Sequence, residues 1–416
     1  MVQNTTRRTF LKSIGATAAT AGVAGTASAQ EYRTSTRFAV FNIEELTTGQ
    51  VQETESSFSA DDSTDEQAEA AARVIQEIRP DVIALKELTN NIQQGKATDK
   101  TNVRAFIDNY LREPQADHLD PIAYPYTLQP KSNTGVLPED EGETNYDFNK
   151  DGEAGSRPGD AFGFGLYPGH YAFAIASQYP IIESEIRTFR KFRWKDMPGN
   201  LMPVDDGSET LSKEDGDLWL TPEEAQIYRL SSKTHIDVPI RMDGEVVHGL
   251  VSHPTPAAFD GANNFNERWN HDENRFWADY VASADYIYDD DGNEGGLEDG
   301  APYVLMGDMN TGFGGPADTF FIENDDFYTE ELPTSAGGNA VGNQYATAEF
   351  GGGSLVDYVL PSPHLTYEGG AVVWPTADDE GSGLAEAAET ASDHRMVWAD
   401  ANLERPGLIR SLVDRL

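Results

Sequence analysis

The chain contains no cysteine, which excludes disulfides, thiolate metal sites and thiol nucleophiles outright. It also lacks any apolar run approaching the roughly 20 residues that a membrane-spanning helix needs. Positive charge is scarce, and lysine is rarer than arginine. Thirty Lys and Arg stand against 71 Asp and Glu, for a net charge of −41. In dilute buffer such a chain repels itself strongly. At about 1 M salt the Debye length falls to about 3 Å and most of that repulsion is screened. We read this balance as adaptation to high salt, of the kind found in halophilic archaea. Acidic residues are spread along the whole sequence among aromatics and apolar runs, which excludes a disordered acidic tail. The acidic excess is then a solvated surface and says little about partners. Without disulfides the fold must rely on its core, and 416 residues are enough to build one.

The first 29 residues read as a targeting segment. Thr6-Arg7-Arg8-Thr9-Phe10-Leu11-Lys12 is a twin-arginine export signature, a Gly/Ala-rich stretch follows, and Ala27-Ser28-Ala29 suits cleavage before Gln30. The expectation is a secreted protein, exported folded, with no permanent membrane anchor. Residues 30–416 are expected to form a single domain, and nothing in them fixes an oligomeric state.

Along that domain, Phe38–Ile43 and Asp81–Leu85 read as buried strands, with a helix over Asp65–Ile78 between them. A second helix is expected near Thr101–Leu111 and a strand over Tyr171–Ser177. His235–Ile240 and Val246–Ser252 read as a hairpin with Asp243-Gly244 at its turn. A helix is expected over Trp269–Tyr288, with Phe276, Tyr280 and Ala284 on one face. Strands over Tyr303–Met306, Leu355–Leu360 and Arg395–Ala401 complete the reading. Residues 114–165 and 194–222 are rich in Pro, Gly, Asn and Asp and read as long insertions, the second pinned by Trp194 and Trp219. This order of strands and helices points to an α/β sandwich rather than a doubly wound parallel sheet.

Several apolar runs end in residues that bind metal or handle protons. They are FNIEEL (41–46), RPDVIALKEL (79–88), VSHPTP (251–256), VLMGDMN (304–310) and SLVDYVL (354–360), with SDH at 392–394. Asp308 and Asn310, two apart after a strand, are placed to orient one water, although Gly, Asp and Asn alone would make an ordinary turn. Asp357 lies inside an apolar strand, where an ionised group is costly unless paired. Its natural partner is a histidine, and His394 is the best placed of the eight. Glu87 and Asn42 each end a strand and are ambiguous singly. Gathered on one rim, such groups can hold a divalent ion and activate water.

Taken together, the order FNxE, PDVIALxE, a mid-chain His, GDxN, DY and SDH resembles the endonuclease/exonuclease/phosphatase superfamily of DNase I-like nucleases, sphingomyelinases and inositol polyphosphate phosphatases, over residues 36–402. The resemblance implies a four-layered α/β/β/α sandwich, two packed mixed sheets flanked by helices. It implies that Glu87 binds Mg²⁺ or Mn²⁺ with Asn42 and Asp393 nearby. Asp308 and Asn310 would orient or activate the attacking water, Asp357 would orient His394 against the phosphate, and His253 would stabilise the phosphoryl charge or assist the leaving group. The implied function is a metal-dependent phosphoester hydrolase, with a secreted nuclease acting on nucleic acid as one alternative. A non-catalytic, Ca²⁺-stabilised surface or binding protein on the same fold is the other. Lys86, where the superfamily mostly has Gln, and Gln178, where Arg is frequent, are departures expected to change charge near the rim; Met309 replaces a Phe. The segments GFGLYPGHYAFAIASQYPI (163–181), RLSSKTHIDVPI (229–240), SHPTPAAFDG (252–261) and RWNHDENRFWADY (268–280) resemble a less studied exported branch.

Two further features weigh less. Asp147–Gly152 matches the first half of a calcium loop but has Pro158 where the closing Glu belongs, so it is not a full loop; a partial structural Ca²⁺ site and a plain turn are equally good readings. Arg187, Arg190, Lys191, Arg193 and Lys195 form a basic cluster that either faces a polyanionic substrate or pairs with the surrounding acidic surface, the second being slightly favoured. His170 and His271 are candidates to line the pocket.

Overall fold

A computed structural model describes residues 35–52, 65–94, 100–204, 220–261, 263–376 and 383–403. The export signature and Trp219 lie outside the described residues.

Among the described residues, eleven strands form two mixed sheets. In the first sheet, β1 (Thr36–Leu46) runs parallel to β2 (Val82–Leu88). β3 (Tyr126–Leu128), β4 (Phe173–Ser177), β10 (Leu365–Val372) and β11 (Val397–Leu403) complete it in the order β10-β11-β1-β2-β4-β3. The second sheet is β5 (Arg187–Thr188), β6 (Ile236–Met242), β7 (Glu245–Ser252), β8 (Tyr303–Asp308) and β9 (Asp357–Pro361), in that order. The expected hairpin is β6–β7, turning through Asp243 and Gly244 with positive φ at both.

Side chains alternate across each strand, and that alternation sorts them into layers. Phe38, Val40, Val82, Ala84 and Ile175 of one sheet meet Val238, Val251, Val304, Met306 and Val359 of the other in the inter-sheet core. The intervening residues of the first sheet, among them Ala39, Phe41, Ile83 and Leu85, pack on helices α1 (Glu66–Ile78) and α4 (Leu384–Ala391). Alanines at 68, 71, 72, 387 and 391 let those helices lie close. Asp65 starts α1 as expected, its carboxylate accepting the Ala68 N–H at 3.0 Å. The second sheet's outer face, with Leu250, Leu305, Tyr358 and Leu360, is covered by α3 (Phe265–Val281) and an aromatic layer that includes Trp194, Phe189 and Tyr228. The architecture is thus the four-layered α/β/β/α sandwich.

The helix expected near 101–111 is α2 (Asn102–Phe106), which continues as a wider turn to Leu111. Helix α3 begins before Trp269 and stops at Val281, because Ser283 takes a φ of 59° and turns the chain. Phe276 and Tyr280 are buried on α3, but Ala284 falls beyond its end. Within the described part of the second insertion, Trp194 is pinned by stacking on Trp269 and by donating to Asp272 Oδ2 at 2.6 Å. No helix of the described residues is long and apolar enough to cross a membrane.

Candidate active site

The inner rows of the sandwich do not end in apolar residues. Following the alternation, Phe38 and Val40 lead to Asn42, Val82 and Ala84 to Lys86, Val251 to His253, and Val304 and Met306 to Asp308. Asp357 opens β9 directly opposite Asp308. The site is therefore the polar end of the inter-sheet core, supplied by both sheets. Glu87 is the exception. Alternation alone would aim it at the helix layer, but its φ of 60° turns the side chain back towards Asn42.

Asp308 is the hub. One oxygen, Oδ2, lies 3.0 Å from Asn42 Nδ2, 3.4 Å from His253 Nε2 and 3.8 Å from His394 Nε2. The other accepts the Asn310 N–H at 3.0 Å. Asn42 Nδ2 also reaches Glu87 Oε1 at 3.1 Å, while its oxygen accepts the Glu44 N–H. His394 Nδ1 donates to Asp357 Oδ2 at 2.8 Å, the pairing expected from the strand position of Asp357. Asn310 donates to Pro254 O at 3.0 Å, next to His253. Asp393 stands at the edge, half-exposed, with an oxygen 3.8 Å from His394 Nε2. Six of the eight expected residues, Asn42, Glu87, His253, Asp308, Asp357 and His394, thus form one connected cluster. Asn310 and Asp393 flank it.

Burial sets the protonation states. It raises the Glu87 and Asp308 carboxyls, and the facing Asp357 charge raises Asp308 further, against the pull of His394 and Asn42. Burial works against a charged His394, but Asp357 and Asp308 outweigh it and push its pKa up to about 10. His253 goes the other way: burial, then Lys233, Lys86 and His394, hold it neutral. The two imidazoles beside Asp308 are therefore unlike, one cationic and one neutral.

Two lysines lie beneath this cluster, and neither was expected there. Lys86 is not on the rim. It is fully buried between the sheets, over the Phe173 ring, and donates to Ser252 O at 2.8 Å and Met306 O at 3.3 Å. Lys233 approaches from the turn before β6 and donates to Pro254 O at 3.2 Å. Burial lowers both pKa values. Gln178, too, lies away from the rim where it was expected. Its N–H bonds to Asp81 O, at the opposite end of the sandwich from the rim, so it cannot touch the site's charge. Met309 is buried against Ser252, an apolar change as expected.

His170 does reach the rim: Nδ1 accepts the Leu166 N–H and Nε2 donates to Glu45 at 2.5 Å. His271 bonds to Asp272 and packs on Phe320 in the outer layer. The basic cluster is largely spent on acids, Arg187 on Asp289, Arg190 on Glu141 and Lys195 on Asp196. In the partial calcium loop, Asp147 accepts the N–H groups of Asp151 and Gly152, and Lys150 leaves to pair with Glu224 at 2.5 Å.

The donor set fits a divalent cation. Asp308, Asp357 and His394 each bring a ligand atom within 4.8 Å of the others, and Asp357 Oδ1 is buried without a hydrogen-bond partner. Glu87 adds a carboxylate oxygen beside Asn42. Its side chain is 20% exposed and opens towards the rim. Asn42 presents its nitrogen here, so its amide must turn over to serve as a ligand.

A sequence model of the endonuclease/exonuclease/phosphatase family matches residues 39–394. The chain belongs to this family. Endonuclease/exonuclease/phosphatase proteins are hydrolases that act on phosphoesters, typically with divalent metals. Similar solved structures include a family protein from Beutenbergia cavernae, at 16% identity over 89% of this chain and 72% of that one, with a TM-score of 0.45. A Bacteroides vulgatus member has 13% identity over 89% and 100%, with a TM-score of 0.42. A Leptotrichia buccalis member has 12% identity over 88% and 100%, with a TM-score of 0.44. No curated protein matches the sequence. Membership of the endonuclease/exonuclease/phosphatase family rests on the sequence match.

Proposed function

We propose that this protein is an exported, divalent-metal-dependent hydrolase of phosphate esters, working at high salt. The observation that carries the reading is the convergence on Asp308 of Asn42, His253 and His394. A carboxylate between a neutral and a cationic imidazole can align a water with one neighbour while the other faces a phosphoryl oxygen.

In this reading Glu87, with Asn42 and Asp393 beside it, holds Mg²⁺ or Mn²⁺. The ion, when bound, supplies Lewis-acid stabilisation of phosphoryl charge. Asp308 takes up the proton of the attacking water, and Asn310, tied to Asp308 and Pro254, keeps that loop in register. His394, held cationic by Asp357, donates to a non-bridging oxygen. His253 donates from Nε2 to the same phosphoryl group or to the departing oxygen. A small phosphate ester is favoured over nucleic acid because the basic cluster largely pairs with acids, leaving little of it to track a phosphate backbone. The complete donor set argues against a binding protein that has kept the fold alone.

The test is hydrolysis of p-nitrophenyl phosphate, bis-p-nitrophenyl phosphate and plasmid DNA at high salt, with and without EDTA. Turnover that EDTA abolishes and that falls at least about 10³-fold in Asp308→Ala is expected. Undiminished turnover in that variant would refute the assignment.

A further inference from the structure

Segments far apart in the sequence converge on one side chain. Glu273 of α3, fully buried, accepts the Ser232 N–H at 2.7 Å, the Ser232 hydroxyl at 2.9 Å and the Thr255 N–H at 2.6 Å. One carboxylate therefore joins the segments around 232, 255 and 273. A fourth segment is fitted to the same place. A Cβ on Gly163 would lie 1.7 Å from Ser232 O, so only glycine allows that approach. The Lys233 carbonyl accepts the Asn133 N–H at 2.8 Å. What all this fixes is Lys233.

The Lys233 ammonium has three protons and one hydrogen-bond partner among the described residues, Pro254 O. The same carbonyl accepts from Asn310. No carboxylate of the described residues pairs directly with Lys233, although Glu273, Glu87 and Asp308 are its electrostatic neighbours. The residue is only 7% exposed. An ammonium so desolvated and so little bonded is costly unless an anion completes it. Its one partner, the Pro254 carbonyl, directly follows His253 and is shared with Asn310, and Glu87 and Asp308 act on it electrostatically, so an anion completing Lys233 would sit beside the cluster.

We infer that Lys233 contacts a non-bridging oxygen of the substrate phosphoryl group and so favours the doubly charged phosphate of a monoester over the singly charged phosphate of a diester. The chemistry is charge matching. A monoester carries close to two negative charges at neutral pH, because its second pKa is about 6. The inference rests on the phosphoester reading above.

The experiment uses the full chain at high salt. Lys233→Met and Lys233→Gln are compared with wild type on p-nitrophenyl phosphate and bis-p-nitrophenyl phosphate, and inorganic phosphate binding is measured by calorimetry. Circular dichroism confirms folding, and Lys233→Gln stands in if the methionine variant does not fold. The expected result is a fall in kcat/KM of about 30-fold or more on the monoester and under about 5-fold on the diester. Phosphate binding should weaken at least about tenfold, and Lys233→Arg should recover part of both losses. Equal losses on the two esters would overturn the monoester preference. Wild-type kinetics and wild-type phosphate affinity in a folded neutral variant would overturn the contact itself. A wild-type protein that neither turns over an ester nor binds phosphate would instead sink the phosphoester reading.

Discussion

Replacing Asp357 by Asn tests the electrostatic logic of the site most directly. The change keeps the shape of the side chain but removes the charge 2.8 Å from His394 Nδ1. In the metal-free wild type, burial opposes protonation of His394, but Asp357 and Asp308 prevail and raise its pKa from 6.5 to about 10. A raised folded-state pKa gives stability that is complete below the unfolded value and is lost as pH rises through the folded one. The relevant window is therefore pH 6.5 to about 10. Within it the loss is at most about 1.4 kcal/mol per pH unit, or about 2–3 kcal/mol between pH 7 and 9. In Asp357→Asn the largest raising influence is gone and that slope should largely vanish. The stability advantage of wild type should thus be about 3 kcal/mol near pH 6.5, the usual cost of breaking a buried pair, and shrink steadily towards pH 9.5. Urea unfolding in EDTA at four pH values measures it. A gap that stays constant across the series would refute the claim that His394 is held cationic by Asp357. Activity at neutral pH should fall about 10²–10³-fold, the scale for losing one preorganised donor to developing charge.

Lys86→Gln removes from beneath Asp308 a buried amine whose charge its burial already opposes, while keeping a donor for Ser252 O, so divalent metal should bind no more weakly than to wild type; calorimetry with Mg²⁺ or Mn²⁺ would show it, and weaker binding would contradict it. Glu273→Ala strips the acceptor from three buried donors and should cost at least about 3 kcal/mol in urea unfolding. An unchanged midpoint would mean that the neighbouring segments hold their places without it.

Much of this site could be read from the sequence because it obeys a simple rule. Asn42, Asp308 and Asp357 sit at positions where period-two alternation already pointed inward, so an apolar run ending in a polar residue marked a strand delivering it to one end of the core. The same rule, applied to Val82, Ala84 and Lys86, would have put the lysine between the sheets. A buried lysine side chain runs against the usual cost of desolvating an ammonium, and that cost points it to the rim instead. Gln178 was misassigned because β4 is antiparallel to β2, and strand direction is a property of topology, not of local pattern. Lys233 and Glu273 left no local signal at all. One lies in a polar turn, the other on the buried face of a helix of mixed polarity, and their meeting depends on packing between segments some 40 residues apart. The early stop of α3 turned on one left-handed residue, Ser283, whose type does not announce it.

The candidate cluster belongs to neither sheet alone. Asn42 and Glu87 arrive on one, His253, Asp308 and Asp357 on the other, and Lys86 crosses from the first to grip two carbonyls of the second. Each half by itself is only a row of costly polar groups. In the proposed enzyme turnover would report on the docking of two slabs, and any solvent, salt or temperature that lets one slide against the other should extinguish activity before either sheet loses its own hydrogen bonds.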